Sequence, residues 1–408
     1  MKRITAIAFL ALGLAFAFTA TGCQDCCTKN RKAKYVFLFI GDGMGNAHVA
    51  VTESYLSYKA GKLGGEHLLF TQFPYYGTAT THSANRIVTC SSAAGTAIAT
   101  GCKTNNGMLG VAPDLQPLKS MAYDFQEEGY GIGIISSVPV NHATPASFYA
   151  QSPKRSDYYD ITKFMASSGF EYFAGAGILQ YYGKDGQQQS SSEWLEENGI
   201  NVCFGKPEFE EAMKTDDRLF LCQPYNKDKE PSNYELSAQK PEGEVTLAEM
   251  VKYGIDFLGD SQPFFIMCEG GEIDWASHDN KTMPMVMTTI GFDQAIAVAY
   301  EFYQKHPDET LIVVTADHET GGVVLGAGSH HSTINWEYMD STWVAQGHSN
   351  MLSVEDNAKL NKKSHIGWTT FSHTGGAVPV YAIGKGADRF SGSMDNTDIK
   401  GKILCTKQ

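Results

Sequence analysis

The sequence has no excess of positive charge. Of its 408 residues, 32 are Lys or Arg and 45 are Asp or Glu, which gives a formal net charge of -13 and a pI near 5.4. Proteins that bind nucleic acid hold the phosphate backbone with dense Lys and Arg. We therefore expect no nucleic-acid-binding surface, and positive charge needed at a site must be local or supplied by metal.

Paired cysteines are also absent from most of the chain. Three of the nine cysteines lie within the first 30 residues. The other six show no CxxC spacing of a zinc knuckle or redox pair, and they are Cys90, Cys102, Cys203, Cys222, Cys268 and Cys405. Disulfides among these six are possible, but their pairing cannot be predicted from the sequence. Cys90, Cys102 and Cys268 lie in apolar surroundings, which predicts small buried hydrophobic side chains.

The one long apolar run is at the N-terminus. Two cations precede an uncharged stretch from Ile4 to about Ala20, which is short for a membrane span. Residues 1–22 are predicted to be a signal peptide, 23–33 a tether and 34–408 one domain. Ala20-Thr21-Gly22-Cys23 resembles a bacterial lipobox, so we expect an exported protein, either periplasmic or anchored to a membrane through a lipid on Cys23. Ordinary cleaved export is the alternative.

Continuous apolar runs predict strands that are buried on both faces. They lie within residues 34–45, 131–138, 264–271, 310–322 and 378–384. Ile296, Ala299, Tyr300 and Tyr303 follow helical spacing between two of these runs. The alternation predicts an α/β fold with a central, mostly parallel sheet flanked by helices on both faces. Residues 184–247 and 329–366 are polar and irregular, so we interpret them as surface insertions near the mouth of the site.

Acidic residues and histidines follow several of these strands directly. Asp42 follows the first run, Glu269 and Asp274 lie at the end of the third, and Asp317-His318 follows the fourth. Ligands bind at the carboxyl ends of the strands in such sheets, so these groups should converge. One Asp after a strand usually caps a turn, but three such endings favour a shared site.

Carboxylate with imidazole suits Zn²⁺, and carboxylate with hydroxyl groups and water suits Mg²⁺. Asp274 and His278 are four residues apart, so one helical turn could direct both side chains to one ion. A surface hydrogen bond would explain this pair alone. The Asp317-His318 dipeptide and the isolated His373 in "SHTGG" favour metal binding.

The stretch "IVTCSSAAGTAIATGCKTNNG" places Ser91 at the start of an Ala-rich helix that Gly101 should end. Backbone N–H groups and the helix dipole favour an anion at this position. A serine hydroxyl becomes a good nucleophile only when a base or metal lowers its pKa. Simple capping of the helix by Ser91 is the alternative.

At these residues the sequence resembles the alkaline phosphatases. Their nucleophile motif has the form aliphatic-x-Asp-Ser, four small residues and Thr, and the segment from Val88 to Thr96 matches it except that Cys90 replaces the Asp. The continuation "ATGCKTNNGMLGV" is also similar. The resemblance extends from Asp42 to His373 in the family's order, which is nearly the whole mature chain.

The resemblance implies hydrolysis of phosphate monoesters through a covalent phosphoserine at Ser91, with two zinc ions and one magnesium ion. It assigns Asp274, His278 and His373 to the first zinc, and Asp42, Asp317 and His318 to the second zinc. It assigns Thr144 and Glu269, with Asp42 as a bridge, to the magnesium site. Arg155, eleven residues after Thr144, would bind two phosphate oxygens. The resemblance also suggests a homodimer.

Three residues depart from the family's pattern. Cys90 stands where an Asp commonly orients the arginine, so Arg155 is expected to be held less rigidly. His142 and Trp275 occupy positions held in some members by Asp and Lys. An imidazole at the third site could accept Mg²⁺ through water or bind Zn²⁺ directly. Alternatively His142 is a hydrogen-bond donor behind the ligands, and Thr144 before Pro145 is a helix N-cap.

Two other functions use the same scaffold or ligands. A phosphodiesterase would generally carry a threonine nucleophile without an arginine for a dianion, and a phosphate- or metal-binding surface lipoprotein would need no nucleophile. A sulfatase is disfavoured because Cys90 is followed by Ser92 and Ala94 rather than by the Pro and Arg of that family's motif. We expect broad specificity for small phosphate monoesters. Trp336, Tyr338 and Trp343 could stack on aromatic leaving groups or pack in the core.

Overall fold

A computed structural model describes residues 32–224, 243–328, 333–348 and 352–406. The predicted signal peptide, the lipobox cysteine Cys23 and most of the predicted tether lie outside these residues. Within them, no helix combines the length and apolar character that a membrane span requires.

The described residues form strands and helices in alternation. The strands are β1 Tyr35–Gly41, β2 Tyr75–Thr80, β3 Gly131–Ser136, β4 Tyr172–Gly175, β5 Asn201–Phe204, β6 Leu219–Cys222, β7 Phe264–Gly270, β8 Thr310–Thr315, β9 Glu319–Thr320, β10 Val324–Leu325, β11 Ile366–Gly367, β12 His373–Thr374, β13 Val378–Gly384 and β14 Gly392–Asp395. The helices are α1 Asn46–Lys59, α2 Ser91–Thr100, α3 Met121–Glu127, α4 Ala143–Ala146, α5 Tyr158–Ser168, α6 Ser191–Glu197, α7 Lys206–Ala212, α8 Leu247–Leu258, α9 Glu272–His278, α10 Thr282–Lys305, α11 Trp336–Ala345, α12 Val354–Ser364 and α13 Asp398–Leu404.

Ten of these strands form one sheet in the order β14-β2-β13-β8-β1-β7-β3-β4-β6-β5. Its pairs are parallel except that β13 runs antiparallel to both β2 and β8. The strands expected from the apolar runs are all present, and every residue of β1 and β7 is buried. The predicted mostly parallel α/β sheet is confirmed.

Helices cover both faces of this sheet, as two neighbouring residues of β7 illustrate. Phe264 contacts Phe302 of α10, with ring centroids 5.4 Å apart. Phe265 points the other way and stacks on Phe125 of α3 at 4.9 Å. Successive side chains of a strand alternate between faces, so α10 and α3 lie on opposite sides. The predicted helix with Ile296 and its neighbours is α10, which buries Ile296 and Ala299.

The prediction that 184–247 is an irregular insertion is wrong for its middle part. β5 and β6 pair with each other, β6 pairs with β4, and together they extend the sheet to one edge. Each strand has only four residues, "NVCF" and "LFLC", so short apolar runs within a polar stretch were too weak a signal. Residues 225–242 lie outside the described residues.

The described parts of the region 329–366, residues 333–348 and 352–366, contain α11 and α12, and none of these residues belongs to the main sheet. Trp336 and Trp343 of α11 are buried. The Trp336 indole N–H donates to Ser54 Oγ at 2.9 Å. These two tryptophans therefore pack in the core and cannot stack on a substrate, whereas Tyr338 is only partly buried.

The six cysteines that the structure describes are free. Cys268 is buried in β7, as predicted, and Cys90 is half-buried. Cys102 is exposed, so its predicted burial is wrong. It follows Gly101, whose left-handed φ of 74° ends the fully buried helix α2 and turns the chain outward.

Candidate active site

The acidic residues predicted at strand ends lie together at one edge of the sheet. The register pairs Gly41 with Gly270 and Ile40 with Thr315. Asp42, Glu269 and Asp317 therefore occupy neighbouring positions at the carboxyl ends of β1, β7 and β8. All three side chains are fully buried. Three groups of carboxylates and imidazoles, each with ligand atoms within 4.8 Å of one another, form at this edge.

The first group contains Asp274, His278 and His373. One turn of α9 brings His278 Nε2 to 3.4 Å from Asp274 Oδ2. The short β9–β12 ladder carries His373, whose Nε2 lies 3.7 Å from Asp274 Oδ1 and 3.1 Å from His278 Nε2.

The protons of these two imidazoles can be assigned from their other nitrogens. Nδ1 of His278 lies 2.7 Å from the Phe371 carbonyl oxygen, and Nδ1 of His373 lies 2.9 Å from that of Thr89. A carbonyl only accepts, so Nδ1 is the donor and a neutral ring keeps its lone pair at Nε2. Two lone pairs facing each other beside a carboxylate fit a shared cation.

The second group contains Asp42, Asp317 and His318. His318 Nε2 lies 3.2 Å from Asp42 Oδ1 and 3.3 Å from Asp317 Oδ2. Thr320 Oγ1 donates to Asp274 and lies 3.2 Å from His318 Nδ1, so it accepts from that nitrogen. The Nε2 lone pair of His318 is again directed into the group.

The third group contains Asp42, His142 and Glu269. Ser136 Oγ donates to one oxygen of Glu269. Among the described residues, the other Glu269 oxygen, both Asp42 oxygens and His142 Nδ1 are buried without a hydrogen bond. Thr144 Oγ1 donates to Asp317 Oδ2 at 3.5 Å. Thr144 is the second residue of α4, whose N-cap is His142, so the interpretation of Thr144 as an N-cap is wrong.

Burial makes ionisation of these carboxyl groups costly. Desolvation raises the pKa of Asp317 to about 7 and that of Glu269 to about 8, with repulsion from Asp274 and Asp317 respectively adding to the effect. Desolvation and repulsion from Asp317, Asp274 and Glu269 hold the pKa of Asp42 well above its usual range. Burial likewise lowers the pKa of His318. Anionic oxygens without enough donors and neutral imidazoles fit bound divalent cations.

Ser91 lies beside the second group rather than serving as a cap. Helix α2 has Cys90 as its N-cap, and Ser91 is its first residue. Ser91 Oγ lies 3.2 Å from His318 Nε2. The predicted helix from Ser91 to Gly101 is confirmed, and it directs the hydroxyl toward the carboxylate–imidazole group.

Cys90 is held by its own set of hydrogen bonds. Its Sγ accepts from Gly107 N at 3.1 Å and lies 3.2 Å from Ser92 Oγ. Burial alone would raise the pKa of the thiol, but hydrogen bonds from Ser92, Ala93 and Gly107 bring it below the ordinary value. The Cys90 thiol is thus held by the backbone N–H of Gly107 and the hydroxyl of Ser92.

Arg155 lies against His142. Its NH2 group lies 3.0 Å from His142 Nε2, and its backbone N–H donates to the Gly107 carbonyl at 2.8 Å. Burial first, and then the charge of Arg155, hold the pKa of His142 well below its usual value. Trp275 contacts the same imidazole edge to face, with centroids 5.7 Å apart. The arginine therefore has a specific partner that the sequence did not indicate.

Sequence reasoning missed two further residues of the site, Ser136 and Thr320. Both hydroxyls hold carboxylates or imidazoles in place. Ser136 ends β3, which pairs with β7 so that Ser136 lies opposite Glu269. Only this strand register shows that Ser136 lies opposite Glu269, and a strand register cannot be predicted from one sequence. Thr320 lies two residues after His318, where a Thr in a strand carries no distinguishing pattern.

The fold and the site together define a class, that of α/β proteins with a buried serine hydroxyl beside candidate metal-binding groups at the carboxyl edge of the sheet. The family model for alkaline phosphatase matches residues 33–205 and 226–407. The chain belongs to the alkaline phosphatase family and is an enzyme of the phosphoric monoester hydrolase class.

Individual relatives agree with this assignment. Alkaline phosphatase 3 of Bacillus subtilis is 29% identical over 99% of this chain and 96% of its own length. Streptomycin-6-phosphate phosphatase of Streptomyces griseus is 27% identical over 91% of this chain and 90% of its own. The alkaline phosphatase of the Antarctic bacterium TAB5 has a solved structure and shares 29% sequence identity with this chain. The two structures match with a TM-score of 0.73, and the match covers 92% of this chain and 98% of the TAB5 chain. A variant of the TAB5 enzyme, 28% identical with a TM-score of 0.74 over 93% and 99% of the two chains, has Mg bound in its M3 site.

Proposed function

We propose that this enzyme hydrolyses phosphate monoesters to alcohol and inorganic phosphate through a phosphoserine at Ser91. The observation that carries the proposal is the 3.2 Å approach of Ser91 Oγ to His318 Nε2, at the N-terminus of a ten-residue helix and beside Asp42 and Asp317. The hydroxyl of a serine that only capped its helix would bond to the helix backbone instead.

Two zinc ions and one magnesium ion would be held by this chain's own residues. We assign Asp274, His278 and His373 to one zinc and Asp42, Asp317 and His318 to the other. Asp42, Thr144 and Glu269 supply the oxygen ligands that suit Mg²⁺. When bound, the zinc ions would favour the Ser91 alkoxide and balance charge on the attacking and leaving oxygens.

The chain's residues then perform two displacements. Ser91 Oγ gives up its proton and attacks phosphorus, the bond from phosphorus to the alcohol oxygen breaks as the Oγ–P bond forms, and the departing oxygen takes up a proton from solvent. Water then loses a proton as it attacks the phosphoserine, the Oγ–P bond breaks, phosphate is released and Ser91 Oγ regains its proton. Arg155 presents a planar guanidinium that can donate to two phosphoryl oxygens at once. The N-terminus of α2 adds backbone N–H groups that favour the same anion.

His142 is best assigned to positioning Arg155 rather than to binding metal directly. A guanidinium only donates, so His142 Nε2 must accept from Arg155 NH2. A neutral ring then carries its proton on Nδ1, which leaves no lone pair for an ion. Nδ1–H would donate to water on a hydrated ion, which favours Mg²⁺ over Zn²⁺ at the third site. Trp275 supports the imidazole by packing against it.

The rest of the assignment concerns the whole protein. We propose export with residues 1–22 removed as a signal peptide, a lipid on Cys23, a tether to residue 33 and a catalytic domain from 34 to 408. Several relatives of similar length are bacterial alkaline phosphatases. From the family we infer that the protein forms a homodimer. We also infer that it acts on small phosphate monoesters.

Turnover of an aryl phosphate and of the corresponding bis-ester at pH 8 to 10 tests the proposal, with and without chelator. We expect monoester turnover that chelation abolishes and Zn²⁺ plus Mg²⁺ restores. Acid quenching should trap phosphate on wild-type protein and on the exposed control Ser167→Ala, but not on Ser91→Ala. Preference for the bis-ester would indicate a phosphodiesterase, and no turnover after metal loading would indicate a binding protein.

A further inference from the structure

A continuous line of contacts leads away from the nucleophile. Ser91 Oγ lies 3.2 Å from His318 Nε2, and the His318 ring stacks on His373 with centroids 3.6 Å apart. His373 Nε2 lies 3.1 Å from His278 Nε2, and His278 Nδ1 lies 2.7 Å from the Phe371 carbonyl oxygen. Phe371 is therefore connected to the first group through the Nδ1 side of His278.

Three apolar side chains next to elements of the first group are exposed. Phe371 is 54% exposed, Ile87 is 79% exposed and Val88 is 39% exposed. A Cβ added at Gly375 would lie 3.6 Å from Ile87 Cγ2 and 4.0 Å from Val88 Cγ2, which places both side chains beside the loop that carries His373.

A cavity of about 610 Å³ opens beside Phe371. Trp368, Ile366 and Val354 contribute apolar surface to it, and Lys362 is the one charged side chain among the described residues that line it. The residues from Ile366 to Phe371 form one wall of the cavity, and the carbonyl group of Phe371 accepts the hydrogen bond from His278. The volume is in the range of small-molecule pockets, which are commonly lined by apolar and aromatic groups.

We infer that Phe371 and this cavity form a subsite for the alcohol part of the substrate, and that it favours aryl and arylalkyl alcohols. The inference rests on the proposed function. In an in-line displacement the leaving oxygen lies opposite the attacking one. With Ser91 attacking from the side of His318, we place the leaving alcohol on the side of His278 and His373, next to which Phe371 is exposed. An aromatic ring there would cover exposed apolar surface and stack on Phe371.

The test compares two monoesters whose alcohols have matched acidity, benzyl phosphate and 2-methoxyethyl phosphate, with the metal-loaded full-length enzyme. Phe371→Ala should lower the ratio of their kcat/KM values about five- to tenfold. Phe371→Leu should lower it less. The inhibition constant of inorganic phosphate should stay unchanged, because the hydrogen bond to His278 comes from the Phe371 backbone. Leu63→Ala, at an apolar side chain 96% exposed after α1, is the matched control.

The outcomes separate the two proposals. A ratio that Phe371→Ala leaves unchanged, or an equal loss with both esters, overturns the alcohol subsite while the phosphomonoesterase assignment stands. Wild-type enzyme that turns over neither ester after metal loading overturns the proposed function and the subsite with it.

Discussion

At the scale of single residues, the site depends on which nitrogen of each histidine carries a proton. Backbone carbonyls fix Nδ1–H of His278 and His373, and the Thr320 hydroxyl fixes Nδ1–H of His318. Their Nε2 lone pairs then face the carboxylates. His142 differs because its Nε2 faces Arg155. Four histidines at one edge of the sheet thus divide into three candidate ligands and one partner of the arginine.

The role of His142 can be tested by removing its side chain. We expect His142→Ala to weaken inhibition by inorganic phosphate roughly tenfold or more, because a hydrogen bond to a charged group is lost and Arg155 becomes mobile. The third-site metal, measured by elemental analysis, should be retained. In the His142→Ala background, Cys90→Asp should recover part of the phosphate affinity by placing a carboxylate near Arg155.

The exposed-site variant His82→Ala serves as the control for this experiment. Loss of one equivalent of metal from His142→Ala, with phosphate affinity unchanged, would show instead that His142 binds the ion directly.

The buried carboxyl groups predict how the stability of metal-free protein depends on pH. The folded-state pKa values of Asp317, about 7, and Glu269, about 8, lie above the ordinary values of 3.8 and 4.5. The pKa of His48, His142, His318 and His373 is lowered in the folded protein, so these histidines would offset the carboxyl groups near pH 6.5, where histidines of the unfolded chain are half protonated. From pH 7.5 to 9 histidines are mostly neutral in both states, the folded state binds more protons through Glu269 and Asp317, and stability falls as pH rises, by roughly 1 kcal/mol.

Urea unfolding of chelator-treated protein at pH 7.5, 8.2 and 9 measures this slope. Metal-loaded protein is the control, and its slope should be smaller because bound cations replace the protons. Stability that stays constant or rises over this window in the metal-free protein would contradict the raised pKa values.

At the scale of elements, the contact between α2 and α4 joins the proposed nucleophile to a proposed magnesium ligand. A Cβ added at Gly95 of α2 would lie 2.6 Å from Ser147 Oγ and 3.3 Å from Thr144 Cα. We expect Gly95→Ala to destabilise the protein by about 1–3 kcal/mol and to weaken Mg²⁺ binding, because α4 must move. Urea unfolding and magnesium titration measure both effects.

Gly291 of α10 provides a matched control, since nothing lies within 4 Å of a Cβ added there. Gly291→Ala should be neutral or stabilise the protein by up to about 1 kcal/mol through helix propensity. If both variants have the same stability, the close approach of α2 and α4 does not constrain the site.

The elements also show how far the sequence predicts the structure. Seven-residue apolar runs identified β1, β7 and β13, and the residues that follow β1 and β8 identified Asp42, Asp317 and His318. β5 and β6 were missed because four apolar residues carry too weak a pattern. The contact of His142 with Arg155 was missed because it depends on how the chain between them folds back, which spacing alone does not determine.

At the scale of the whole molecule, the candidate ligands come from residues 42 to 373, so bound ions would join segments that are distant in sequence. Each candidate ligand lies in or directly beside one of six elements, namely β1, α4, β7, α9, β8 and β12. An ion that binds only the folded state stabilises it by about 2.7 kcal/mol at a free concentration 100 times its Kd. Chelation should therefore destabilise the entire domain rather than one loop.

Thermal unfolding with and without chelator, followed by circular dichroism and by tryptophan fluorescence, tests this expectation. We expect one transition that moves to lower temperature on chelation, with both probes in agreement. His278→Ala removes one imidazole of the first group and should reduce the stabilisation by Zn²⁺, whereas His82→Ala should preserve it. Because β1 lies at the centre of the sheet between β7 and β8, ions bound at their ends would restrain the core strands themselves. A chelator that changes fluorescence but leaves the unfolding temperature unchanged would show that these groups do not hold the sheet together.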